Sequence, residues 1–499
     1  MNHGLHWIDF VILVFYAAGM IALGWYYSRR RQTTDEYFSG GGRMNPLLIG
    51  VSMYATLFST ISYLTVPGEV LKHGPIVFLM PLASIPFYFC IVGFWIVPKY
   101  MQHRATSAYA LLETQLGIWA RTTGAMMFIL LRLMWMSTLI YFGAKAMLVM
   151  FGLSNAWLPA VTMATGGIAV FYASIGGLRA VVITDSIQFL LLFCGACIVI
   201  GMVTYDDGGI GWIPTRWNES WDEQPFFSLS PTVRASAVSS VLYGICWWVF
   251  TAGSDQTAIQ RFMATENVAS ARRSFLVNSI AGAAVTIVLV LVGFALLAYY
   301  QTDASRLPAG KSIAEDADEL FPYFISNHLP IGLSGLVMCG LFAAAMSSID
   351  SGINSITAVV QSDLVDRFRV EKLDDRARIR IARALALTIG VVVVLTSSFV
   401  LDHVPGNFLE QANRTFGLLV TPMFLLFVFA LWIPFSTQLG AIAGALAGFV
   451  TSFVVAYWDV LTELKPISFQ WIFFLSLPVG LAVGSVLSLL AGGGTNANR

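Results

Sequence analysis

The sequence carries very little charge. Asp, Glu, Lys and Arg make up 11% of its 499 residues, against about 25% in a soluble globular domain, and its mean hydropathy is +0.74. That scarcity excludes a water-facing fold, because a chain that is 57% hydrophobic cannot hide its apolar surface in one soluble core. Cysteine is scarce as well. Of five, Cys194 and Cys197 form a CxxC within LLFCGACIVI, mid-run and without a second pair, so packed apolar thiols are expected there rather than a zinc or redox site. The six histidines, at positions 3, 6, 73, 103, 328 and 403, are all terminal or in connections. HExxH, Walker A and GxSxG motifs are missing, which argues against an enzyme and leaves an ATP-driven pump without its nucleotide site. No basic, aromatic face suggests nucleic acid, and a net charge of zero says nothing about partners.

What the chain has instead is a series of apolar runs: 7–27, 46–72, 77–98, 122–152, 157–175, 181–204, 236–258, 274–300, 329–361, 380–400, 413–432, 438–457 and 469–491. Each approaches or exceeds the roughly 20 residues that span a hydrocarbon core. The fold class is therefore an all-α polytopic membrane protein with about thirteen transmembrane helices. The connections are too short for a soluble core, so residues 1–499 read as one transmembrane domain whose obligatory partner is the lipid bilayer. The run at 7–27 is too long for a signal-peptide core and is followed, not preceded, by Arg29, Arg30 and Arg31, so it reads as a retained first span. With the N-terminus outside, these arginines, Lys99, Arg104, Arg272, Arg273 and the basic stretch 367–383 fall on the cytoplasmic side, and thirteen spans put the C-terminus inside the cell membrane. WIPTRWNESW, 212–221, is aromatic enough to lie on the membrane as an outer lid, and Gly440, Gly444 and Gly448 form a small-residue stripe for packing or a dimer face. A monomer is sufficient on this reading, and a homodimer stays open.

The functional signal lies in polar residues inside these runs. In AAAMSSIDSGINS, 343–355, Ala344, Ser347, Ser348, Ser351 and Ser355 recur at helical spacing and form one stripe, with Asp350 one step around the wheel. Membrane serines can bond the carbonyl a turn back, but an intramembrane aspartate marks an ion or proton route. MYATLFSTISYLTVPG, 53–68, packs Thr56, Ser59, Thr60, Ser62 and Thr65 ahead of Pro67 and Gly68. Such a stretch weakens a helix and frees carbonyls, which at membrane depth line a cavity or hold a cation. The two segments offer the oxygens that a hard monovalent cation needs, or they merely glue helices together. Asp185 stands on an ascending helix after Gly176-Gly177, either paired with Arg179 or free for function. Arg132, near the middle of its span, either holds a substrate carboxylate or pairs with Asp350 or Asp185.

These residues resemble the sodium:solute symporter family. DEYFSGGGRMNPLLIGVSMYATLFS (35–59), YASIGGLRA (172–180), GSDQTAIQRFMATENVASARR (253–273) and AAAMSSIDSGINS occur in the family's order and spacing, while 440–448 meets the later signature only in part. The resemblance implies a LeuT-type five-plus-five inverted repeat with additional terminal helices. Residues 1–30 would hold the extra N-terminal helix, 46–204 the first repeat, 236–432 the second, and 438–491 two C-terminal helices.

It also implies sodium as the coupling ion. The main site would be made by Ala55, Phe58 and Ala344 carbonyls with Ser347 and Ser348 hydroxyls. A second sodium would sit at Asp185, Asp350 and Ser351, shared with Ser347. The small-molecule substrate would lie against Ser59, Thr60, Ser62 and Tyr63 at the helix break, facing Trp247, Trp248 and Thr251 of the second repeat, with Arg132 as a further candidate. Hydroxyls and aromatic walls put a sugar or sugar-like solute first. A small organic anion of monocarboxylate or sialic acid type is the alternative: Arg132 would suit a carboxylate, but the family's carboxylate-binding arginine aligns nearer Trp135, so that role is not transferred to Arg132. A membrane solute sensor and a sodium-leaking channel are the rivals from other classes.

Overall fold

The computed structural model describes residues 5–28, 34–58, 60–103, 107–173, 177–368, 374–399, 401 and 408–492. Ser59, Gly176, Arg29, Arg30, Arg31, Arg104 and His403 lie outside them. Every regular element among the described residues is a helix. In chain order the principal ones are α1 (Trp7–Ser28), α2 (Pro46–Leu57), α3 (Thr60–Lys72), α4 (Ile76–Gln102), α5 (Ala110–Leu116), α6 (Ile118–Phe151), α7 (Leu158–Ala173), α8 (Leu178–Asp206) and α9 (Ala237–Ser254). There follow α10 (Gln256–Met263), α11 (Val268–Thr302), α12 (Ile313–Asn327), α13 (Leu333–Val359), α14 (Asp375–Phe399), α15 (Phe408–Trp432), α16 (Gln438–Ala456) and α17 (Trp471–Leu490). Among the described residues eleven helices are long and apolar enough to cross a membrane. The pair α2 and α3, bent by 64°, makes a twelfth if counted as one broken span, and the shorter apolar helix α7 occupies the remaining run. The expected runs are mostly helical over their described residues, apart from breaks at Phe58 and Asp255.

Two of these crossings are broken. Asn45 caps α2 by accepting the amide of Leu47 at 2.9 Å, with Pro46 in the first turn, where its missing N–H costs nothing. The helix stops at Phe58, whose backbone is extended (φ −100°, ψ 118°). Likewise α9 stops at Asp255, again extended (φ −84°, ψ 120°), and the Asp255 carboxylate then caps α10 by accepting the Thr257 amide at 2.8 Å. Helix α13 and helix α15 are the most deeply buried spans, whereas α1 presents Trp7, Val14, Phe15 and Trp25 outward, as a lipid-facing helix should.

The glycine stripe serves packing inside the chain. A Cβ on Gly444 of α16 would lie 2.6 Å from the Gly480 carbonyl of α17, so only hydrogen fits between the two backbones. The segment 212–221 folds over the end of α3. Trp217 and Trp221 pack edge to face with centroids 5.0 Å apart, and Asp222 meets His73 at 2.6 Å.

Candidate functional site

The last turn of α2 presents its carbonyls at the break, and the serine stripe of α13 lies against it. Ser347 Oγ donates to the Ala55 carbonyl at 2.8 Å and lies 3.2 Å from that of Ala344. Ser348 Oγ donates to the Thr56 carbonyl at 2.9 Å. Both serines are buried. Thus Ala55, Ala344 and Ser347 meet at one point, with Ser348 on the next carbonyl of the same turn. Phe58 caps the helix by giving its amide to the Tyr54 carbonyl at 2.7 Å. The oxygens gathered here are neutral and hard. Among the described residues no three His, Cys, Asp or Glu side chains converge, so the set suits a monovalent alkali cation rather than a soft or multivalent metal.

One turn toward the start of α2 the chemistry changes, and the sequence reading missed its centre. Arg261 of α10, 1% exposed, places its guanidinium among four helices. It donates to Ser52 Oγ at 3.0 Å, to Thr56 Oγ1 at 2.5 Å, to Ser351 Oγ at 2.7 Å and to Asp185 Oδ2 at 3.2 Å. Ser52 also donates to Asp185 at 2.5 Å. Asp185 and Ser351, expected together around a second sodium, do come together: Ser351 Oγ lies 3.5 Å from Asp185 Oδ2, and this guanidinium bonds both. Buried Asp350 acts electrostatically on the same group. The charge partner of Asp185 is therefore Arg261 and not Arg179, because the short helix α10 carries its polar face into the bundle rather than into solvent.

Arg132 has neither of its expected acidic partners. It is 1% exposed and ion-pairs with Asp255 at the break of α9. That pairing joins the middle of α6 to the cap of α10. It turns the guanidinium away from the cavity described next, whose wall does not include Arg132.

Beside the break of α2 and α3 lies a cavity of about 180 Å³. Of the expected substrate residues, Ser62, Trp247 and Trp248 line it, while Thr60, Tyr63 and Thr251 are buried outside its wall. Trp135, Tyr243 and Asn413 complete it and were not anticipated as contacts. The aromatic wall is continuous. Trp247 packs on Phe416 with centroids 4.4 Å apart and Tyr88 on Trp248 at 5.5 Å. Tyr243 donates its hydroxyl to Asn413 Oδ1, and the Asn413 amide is held by the Leu409 carbonyl at 2.8 Å. The indole N–H of Trp135, by contrast, has no hydrogen-bond partner among the described residues. No described residue with a charged side chain lines the cavity. Phe469 also lines it; its ring centroid lies 5.8 Å from the Arg234 guanidinium, and Arg234 in turn pairs with Glu69 at 2.7 Å and with Glu410.

The family model of the "Sodium:solute symporter family" matches residues 37–448. The sodium/sialic acid symporter of Proteus mirabilis (strain HI4320) is 26% identical over 471 residues, covering 91% of this chain and 90% of that protein. The human sodium-coupled monocarboxylate transporter 1 is 27% identical, over 89% of this chain and 72% of its own length. Among solved structures, a substrate-bound, outward-open sodium-coupled sialic acid symporter superposes with a TM-score of 0.80 at 24% identity, covering 97% of each chain. A nucleobase-cation-symport-1 family transporter in a closed conformation gives 0.56, covering 91% of this chain and 93% of that one. The architecture is the LeuT-type five-plus-five fold with additional terminal helices.

Proposed function

Because the chain belongs to the sodium:solute symporter family, we propose that this sodium-coupled symporter imports a small organic acid with an apolar or aromatic body. The observation that carries the reading is the buried indole N–H of Trp135, without a partner among the described residues, on a side chain that lines an aromatic cavity beside the start of α3. The first amides of that helix lack helical acceptors, and the positive end of its dipole favours an anion. A carboxylate there would accept from Trp135 and Ser62, while the ring faces of Trp247 and Trp248 cover its body. A sugar needs a partner for each buried hydroxyl; of the neutral polar side chains on the wall, Tyr243 and Asn413 are already bonded to each other. The relatives that transport sialic acid and monocarboxylates support the acid, and the small apolar wall favours the monocarboxylate.

Sodium enters the mechanism as the second substrate. Ala55, Ala344, Ser347 and Ser348 hold it where the broken helix meets α13, so its binding orders the end of α2 next to the organic acid. The ion's charge also offsets that of the carboxylate in a cavity whose wall carries no cationic side chain. One sodium with one carboxylate carries no net charge, so the sodium gradient alone drives this uptake; only a further sodium would add about 2.3 kcal/mol per 100 mV of membrane potential. One chain supplies every group named, so a monomer suffices. The test is uptake into proteoliposomes under an inward sodium gradient. A labelled monocarboxylate with an aromatic or branched body should accumulate in sodium and not in potassium, and an excess of glucose should not compete. Accumulation of sugar but not of any carboxylate would refute the substrate class.

A further inference from the structure

Helix α13 has no cap of its own. Its N-cap is Gly332, which has no side chain to offer and adopts φ +87°, a conformation that favours glycine. The missing acceptor comes from another helix. Asp9 of α1, 1% exposed, accepts the Gly332 amide at 2.8 Å and the Gly335 amide at 2.9 Å on one oxygen, and the His6 amide at 2.9 Å on the other. A capping box satisfies the amides of the N-cap and N3 residues with two side chains of the same helix. Here one carboxylate from a different span does both.

The fit is close enough to fix position. A Cβ at Gly335 would lie 2.7 Å from Asp9 Cα, so α1 and the start of α13 are in backbone contact. Two turns further along α1, Tyr16 grips α13 a second time. Its hydroxyl donates to Met346 Sδ at 3.7 Å and accepts from Gln188 Nε2 at 3.2 Å. Met346 immediately precedes Ser347, and Gln188 is one turn beyond Asp185 on α8. Helix α1 therefore holds the sodium-bearing helix at its end and again at the height of its serine stripe.

We propose that Asp9 is a positioning residue for sodium binding: by capping α13 in trans, α1 sets the height and rotation at which Ser347 and Ser348 meet the carbonyls of α2. The inference rests on the reading that this stripe holds sodium. Asp9 touches neither ion nor organic substrate. It acts by keeping the oxygens where the ion needs them, and a cage left to find its own geometry binds more weakly.

The experiment is sodium-dependent thermal stabilisation of the detergent-purified protein, with potassium at equal ionic strength as the baseline, on wild type, Asp9→Ala, Asp9→Asn, Gly335→Ala and Ser347→Ala. In Asp9→Ala and Gly335→Ala the sodium Kd, read from stabilisation that grows as RT ln(1 + c/Kd) with c the sodium concentration, should rise by about three- to tenfold. Uptake at saturating sodium should keep its KM for the organic substrate, and Asp9→Asn, which retains an acceptor oxygen, should recover part of the shift. A merely structural cap would lower the melting temperature in potassium and leave the sodium Kd alone, and that result overturns the proposal. If Asp9→Ala does not yield folded protein, the same criterion applies to Asp9→Asn and Gly335→Ala. A wild-type sodium response in Ser347→Ala would overturn the site itself and this inference with it. A lost response there, beside an unchanged Asp9→Ala curve, overturns the inference alone.

Discussion

Ser347 donates its hydroxyl to the main-chain oxygen of Ala55 at 2.8 Å, and the two residues are 292 positions apart in the chain. This contact joins the broken helix α2 to the serine stripe of α13. A hydroxyl that can reach this carbonyl can also turn a lone pair toward a cation held beside it. Replacing Ser347 with alanine should raise the sodium concentration for half-maximal uptake at least tenfold. That follows from about 1.5–3 kcal/mol for a polar contact to a charged group. Titration of uptake against sodium in proteoliposomes checks it, and an unshifted curve would remove Ser347 from the site.

Arg261 and Asp185 should behave as a unit. Arg261→Gln leaves a fully buried carboxylate without its charge partner, and losses of about 3–5 kcal/mol are usual for such a break. The double variant Arg261→Gln with Asp185→Asn should therefore be more stable than Arg261→Gln alone. Unfolding of the four proteins in detergent measures the coupling, and strictly additive effects would show that the pair is not coupled.

The cavity wall makes its own forecast. Trp135→Phe keeps the ring and removes the only donor on it, so KM for a carboxylate substrate should rise by about five- to thirtyfold, the worth of roughly 1–2 kcal/mol. Competition by an uncharged analogue of the same shape should be little affected. Equal losses for both solutes would assign Trp135 a packing role only.

Outside the spans, Asp318 of α12 supplies a pH signature. Burial pushes its carboxyl up to about 6, against the opposing pull of the hydrogen bond from the Phe408 amide and the positive charges of Lys72 and Arg234. From about pH 4 to 6 the folded protein keeps a proton that the unfolded chain has released. Stability should therefore fall as pH rises through that window and level off above it. Asp318→Asn should flatten the slope between pH 4 and 6, as followed by thermal unfolding across that range.

How far the sequence discloses the site depends on where each charge partner sits. The serine stripe is legible because side-chain oxygens at helical spacing stand out in an apolar run, and the break in α2 because Thr and Ser crowd there. The roles of Arg132 and Asp185 are not legible. Their partners, Asp255 and Arg261, lie in GSDQTAIQRF, a short polar stretch that alone looks like a solvated connection. Only the packing of α10 under the bundle buries it, and no local pattern announces that. Asn413 and Tyr243 escape for a related reason: each is an ordinary polar residue near the end of its span, and the turn that points it into the cavity is a tertiary fact.

Phe469 belongs to the connection between α16 and α17, beyond residue 448 where the family match ends, yet it lines the cavity. The stretch after the matched region thus contributes to the container and is not only packaging around it. A substitution there can alter the cavity wall without touching the serine stripe of α13 or the break of α2.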